Sequence, residues 1–177
     1  MQIIDFGGGL NLFIINVLCY LLFVLVRRHI DIWLPDQSFD PTRRRYRLAQ
    51  WEHNGFTYRR WLHINAWKDK LPCFKPLTGF SKKTLVGSQH DYLQQFIIET
   101  CRAESNHVSA IIFVFVMQLW TPFNLWLTCF AIATIGNAPF IFIQRYNRPR
   151  LQRALAMADA EAQRSHFETD SPLASLA

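Results

Sequence analysis

Between Val108 and Ile143 the chain carries no Asp, Glu, Lys or Arg, and the next seven residues are Gln144-Arg145-Tyr146-Asn147-Arg148-Pro149-Arg150. A soluble fold mixes polar and apolar residues along each helix so that one stripe is buried and the rest is wet. A long uncharged run with an abrupt basic end instead fits a bilayer, where cations gather at the boundary. Leu10–Val26 is likewise free of charge, and nearly all charged residues lie in 27–107 or after 143. The expectation is an all-α integral membrane protein: one N-terminal transmembrane helix, interfacial cytoplasmic helices, then an apolar helical hairpin.

Residues 7–26 make a helix of ~30 Å, the thickness of the hydrocarbon core. Nothing basic precedes it in Met1–Asp5 and no small-x-small cleavage site follows, so a removed signal peptide is not expected. The second apolar run, 108–143, divides at Thr121-Pro122-Phe123-Asn124, a turn-like break. Leu125–Ile143 is long enough to span, whereas Val108–Trp120 gives only ~20 Å. Either the preceding amphipathic helix dips in to extend it, or the hairpin is re-entrant. Both versions return the chain to the side it left. Arg27 and Arg28 after the first span, and Arg145, Arg148, Arg150 and Arg153 after the last, set both flanks on the cytoplasmic side. The reading is a single membrane domain, 1–177, in the inner (cytoplasmic) cell membrane, multi-pass, N-terminus outside, with 27–107 and 144–177 cytoplasmic.

In the middle segment Trp33, Trp51, Tyr58, Trp61 and Trp67 alternate with Arg43–Arg45, Arg59, Arg60, Lys68 and Lys70. Rings and cations together suit the headgroup layer, with anionic headgroups as partners. The formal net charge of +6 therefore belongs to membrane contact and not to nucleic acid. Pro35, Pro41, Pro72 and Pro76 predict short interfacial helices, followed by a Gly/Ser/Lys loop around Thr78–Ser88. Pro149 predicts an extended Arg148 and a helix end there, then an Ala-rich helix from Leu151 to about Arg164 and a disordered tail. Cys19, Cys73, Cys101 and Cys129 show no CxxC spacing, so neither a disulfide framework nor a zinc site is read, and no metal site is expected.

The helix beginning near His90 buries Leu93, Phe96, Ile97 and Thr100 at helical spacing. Continuing that stripe reaches Glu104, His107, Val108 and Ile111, so an acid and a histidine stand where apolar residues belong. They are three apart and share a face. Ionisable groups near lipid are costly to bury and mark functional candidates, and a carboxylate-oriented histidine is a general base for a hydroxyl. The alternative is that the two satisfy each other where the helix leaves water. Glu99 and Arg102, on the opposite face, read as a structural clamp. Asn137 and Pro139 interrupt the last apolar arm, and the arginines of 145–150 offer forks for phosphate or carboxylate. A Gly-rich phosphate loop, GxSxG and HExxH are all absent, as is a His followed four residues later by Asp.

Glu99-Thr100, Arg102-Ala103-Glu104, His107, Asn137, Pro139, the run Gln144–Leu151 and Trp67-Lys68 with Lys70 carry a resemblance. Over roughly residues 30–152 the sequence resembles the glycosyl-4,4'-diaponeurosporenoate acyltransferases of staphyloxanthin-type carotenoid synthesis. It departs at Ser105-Asn106 and Val108. The resemblance implies transfer of a fatty acyl group to a sugar hydroxyl of a membrane glycolipid, with an acyl thioester as co-substrate and no bound cofactor. It makes His107 and Glu104 the candidate catalytic residues. Glu99, Arg102, Asn137, Arg145, Tyr146, Asn147, Arg148 and Arg150 become candidates for substrate binding, the arginines for the donor's phosphates or carbonyl. Two other classes stay open: an acyltransferase on another membrane lipid, and a non-catalytic membrane adaptor that docks other membrane enzymes.

Overall fold

The computed structural model describes residues 8–71 and 89–169, with side chains to 164. Every regular element among them is helical. Three long helices, α1 (Gly9–Trp33), α3 (Gln89–Met117) and α4 (Phe123–Thr169), are joined by a string of short turns. That string holds 3₁₀ turns at Asp36–Phe39, Arg44–Tyr46, Gln50–Gly55, Ile64–Ala66 and Lys68–Lys70, and one short helix, α2 (Phe56–Trp61). Where interfacial helices were expected, the chain makes mostly single turns, because prolines and left-handed residues interrupt it every few positions. The loop around Thr78–Ser88, the prolines 72 and 76, and the tail after 169 lie outside the described residues.

α1 runs past Val26 and takes in Arg27, Arg28, His29 and Asp31 before stopping at Leu34, whose ψ of 129° is the extended conformation that a following proline imposes. It lies antiparallel to α3. From one end to the other its contacts are Asn16 with Thr121, Phe23 stacked on Phe113 at 4.1 Å, and Arg27 with Ser105 at 3.1 Å. At the foot, Arg102 donates to the Asp31 carbonyl.

α3 and α4 form the antiparallel hairpin at the centre of the molecule. Val114, Met117, Trp126 and Ala133 fill its upper part, with Tyr20 of α1 packed alongside. The indole N–H of Trp126 donates to the Val114 carbonyl at 2.9 Å, so the ring is fixed as well as buried. Pro122 sits one residue before α4, where a missing N–H costs nothing. α1 and α4 are each long and apolar enough to cross a membrane. Leu18, Leu22, Leu25, Ile112, Ile132 and Ile135 turn outward from the three long helices. Apolar surface of that extent fits contact with lipid chains.

One expectation is overturned. α4 does not end at Arg148: it passes through both Pro139 and Pro149 and continues to Thr169. Proline in a helix interior removes one backbone bond and disfavours a helical preceding residue. Here long-range contacts outweigh that local preference. Arg145 and Arg148, on the turn just before Pro149, are held by ion pairs to Glu52 and Glu104, and both must stay helical to reach them.

Candidate functional site

Two polar assemblies occupy the foot of the hairpin, stacked one helical turn apart along α3.

The lower one is a buried ion-pair network. Glu104 divides its carboxylate between Arg145 (2.6 Å) and Arg148. Arg145 reaches on to Glu52 with a two-pronged bond, Nε to Oε1 at 2.6 Å and Nη2 to Oε2 at 2.7 Å, and also donates to the Arg47 carbonyl at 3.0 Å. Arg148 spends its other donors on the Thr100 hydroxyl (3.1 Å) and the Tyr46 carbonyl (2.8 Å). Glu52 is wholly buried and also accepts from the Tyr58 hydroxyl and the Ala49 N–H. Burial pushes the Glu52 carboxyl up, but hydrogen bonds from Arg145, Tyr58 and Ala49 outweigh it and hold it below the usual carboxylate range. Burial, and then the neighbouring Glu52 carboxylate, raises the Tyr58 phenol. The network ties α3, α4 and the 44–58 turns into one piece. Breaking a buried pair leaves an unpaired charge, which costs about 3–5 kcal/mol.

The upper assembly centres on His107. Asn137 of α4 donates from its amide nitrogen to the Ala133 carbonyl and to the Tyr20 hydroxyl, each at 2.7 Å. A carbonyl can only accept, so the amide nitrogen points toward Ala133 and the amide oxygen faces His107 Nδ1, 2.9 Å away. That oxygen in turn can only accept, so Nδ1 carries the proton. The neutral imidazole is therefore the Nδ1–H tautomer, with its lone pair at Nε2. Phe140 stacks on the ring at 4.8 Å and 8° and fixes its plane.

This geometry corrects the expectation that Glu104 orients His107. Both Glu104 oxygens are taken by arginines, and the histidine is oriented by Asn137. Spacing along one helix brought the acid and the base near each other, but partners from α4 compete for each and win.

Glu99 and Arg102 pair at 3.4 Å as a clamp within α3, and both are buried. Arg102 also bonds Asp36 at 2.6 Å and lies 4.4 Å over the Phe39 ring, which locks the end of α1 to α3. Tyr146 is buried, donates to Asn65 at 2.8 Å and accepts from Arg150. Asn147 is half-buried, and Arg150 is exposed. No group of three or more His, Cys, Asp or Glu converges for a metal among the described residues.

Sequence reasoning missed Glu52 and Tyr20, and it read Thr100 as part of the buried stripe and Tyr58 as a headgroup-layer aromatic without placing either in the site. Glu52 left a trace: it is the single carboxylate between Asp40 and Asp69, in a stretch full of arginine. A lone acid among that many cations has strong reason to be paired.

Helical hairpin, buried ion-pair network and oriented histidine together form a compact helical polar site, and comparison with known proteins says which family carries it. The family model described as glycosyl-4,4'-diaponeurosporenoate acyltransferase matches residues 42–157, so the chain belongs to that family and is an acyltransferase. Curated proteins of that name from Staphylococcus aureus strains RF122 / ET3-1 and N315 are 29% identical over 133 residues, covering 74% of this chain and 80% of theirs. No solved structure gives a significant match. The matched region contains both polar assemblies apart from Tyr20 of α1.

Proposed function

We propose that the protein transfers a fatty acyl group from a thioester donor to a sugar hydroxyl of a glycosylated carotenoid or related glycolipid. The reaction takes place at the cytoplasmic face of the cell membrane, with His107 as general base. The whole chain acts as one membrane domain, N-terminus outside and C-terminus inside.

The observation that carries this reading is the fixed tautomer of His107. Its Nε2 lone pair takes the proton of the sugar hydroxyl as the oxygen attacks the thioester carbonyl carbon. The tetrahedral intermediate then expels the thiolate, which recovers that proton from the imidazolium, so the histidine ends as it began. Asn137 acts through His107 by holding the tautomer, and Glu104, Arg145 and Arg148 are positioning residues that fix α4 against α3. The apolar flanks of the hairpin receive the acyl and acceptor chains.

The test is mass spectrometry of lipid extracts from cells expressing the native chain or His107→Ala at matched membrane abundance. A species heavier by one acyl group, present only with the native chain, supports the proposal and identifies the acceptor. Equal acylation by His107→Ala would overturn the general-base role.

A further inference from the structure

The ion-pair network leaves a question about charge. Arg145 and Arg148 direct their donors to Glu52, Glu104, Thr100 and the carbonyls of Arg47 and Tyr46. An anionic donor must meet its cations elsewhere.

A recess at the polar end of the molecule offers them. It is an open cavity of about 690 Å³ lined by Trp51, His53, Phe56, Thr57, Arg60 and Trp61. That volume falls within the ~300–1,000 Å³ of small-molecule sites. Trp51, Phe56 and Trp61 are all exposed, so their rings are presented and not consumed by the core.

The backbone beneath is forced into shape. His53 (φ 44°), Asn54 (φ 54°) and Gly55 (φ 88°) are three consecutive left-handed residues, a costly run for side chains bearing a Cβ. It is clamped from several sides. Glu52 is tied down by Arg145 and Tyr58, and the Thr57 hydroxyl donates to the Trp51 carbonyl. Gly55 lies so close to Tyr146 that a Cβ there would come within 3.3 Å of the Tyr146 carbonyl oxygen.

Its chemistry discriminates between ligands. A sugar is gripped most firmly by carboxylate or amide side chains, which can engage two of its hydroxyls at once, whereas hydroxyl and imidazole groups bond it singly. None of the lining side chains is a carboxylate or an amide, and the Glu52 carboxylate is turned inward. What the recess presents is flat aromatic surface, one guanidinium, an imidazole and a hydroxyl. Planar rings stack on indole, and guanidinium pairs with phosphate.

Building on the acyltransferase reading above, we propose that this recess binds the nucleoside-phosphate head of the thioester donor. The base stacks on Trp51 or Trp61, and Arg60 meets phosphate.

The experiment is titration of the full-length protein in nanodiscs with free coenzyme A, followed by tryptophan quenching, alongside acyl-transfer kinetics. Saturable quenching by coenzyme A, with none from pantetheine or methyl glucoside, is expected. Trp61→Ala and Arg60→Gln, both at exposed positions, should each weaken it roughly tenfold, with Trp61→Phe close to native. In turnover the same variants raise the donor KM and leave kcat and the acceptor KM unchanged. Unaltered coenzyme A binding in both variants, binding of the glucoside instead, or no binding by the native protein would overturn the site. A native chain that binds coenzyme A as described yet acylates nothing counts against the acyltransferase reading alone. Normal turnover with unchanged donor KM in both variants counts against the recess alone.

Discussion

His107 of α3 and Asn137 of α4 face each other at 2.9 Å, Nδ1 to Oδ1, and the direction of that bond is set by the Ala133 carbonyl behind the amide. A side chain thirty positions away thus determines which ring nitrogen is basic.

Asn137→Leu removes that control without adding charge. The wrong tautomer then becomes accessible, and kcat should fall on the order of 10²-fold with little change in either KM. Steady-state kinetics in detergent or nanodiscs check it. A rise in a substrate's KM with kcat preserved would mean that Asn137 touches that substrate directly.

Arg148→Met leaves Glu104 with one cation in place of two, in a buried site. Thermal unfolding should show a loss of about 3 kcal/mol. Adding Glu104→Gln to that variant should cost less than the sum of the two single changes, because they share one network. Strict additivity would show that the pair is not coupled.

The depressed Glu52 carboxyl gives a signed pH dependence. Its folded value lies below the unfolded one, so its contribution to stability is fully present above the ordinary carboxylate range. It is lost as pH falls through the folded value. Unfolding midpoints measured from neutral pH down to about pH 3 should therefore fall in the native protein. They should fall less in Glu52→Gln, which starts from a lower midpoint.

Asn16 is buried in α1, where it accepts from the Trp120 indole at 2.9 Å and donates to the Thr121 hydroxyl at 3.0 Å. Asn16→Leu strands both groups at the turn and should cost about 1–3 kcal/mol in unfolding experiments. Limited proteolysis near 118–122 should become faster in that variant.

How much of this was legible differs from residue to residue. Charge segregation marked the apolar runs, and periodicity singled out Glu104 and His107, because both signals are local. The partners are not local: Glu104 is bonded from 41 and 44 positions away, and Glu52 from 93. Pairing by spacing on one helix therefore chose the wrong neighbour for His107. Pro149 misled in the opposite direction, since its helix-breaking tendency is a local preference that the long-range arginine contacts override. The strained turn at 53–55 left no signal beyond Asn54-Gly55, a common turn pair, and the recess it shapes was not foreseen.

The buried amide of Asn16 also bears on how the chain assembles. Its partners are 104 and 105 residues further along. While the polypeptide is being made, α1 emerges long before Trp120 and Thr121, with the Asn16 amide set in the apolar stretch Leu12–Val26 and still without these partners. The helix is thus an unfinished part that only the arrival of the hairpin tip completes. A product ending before residue 120 would leave the Asn16 amide without either of these partners.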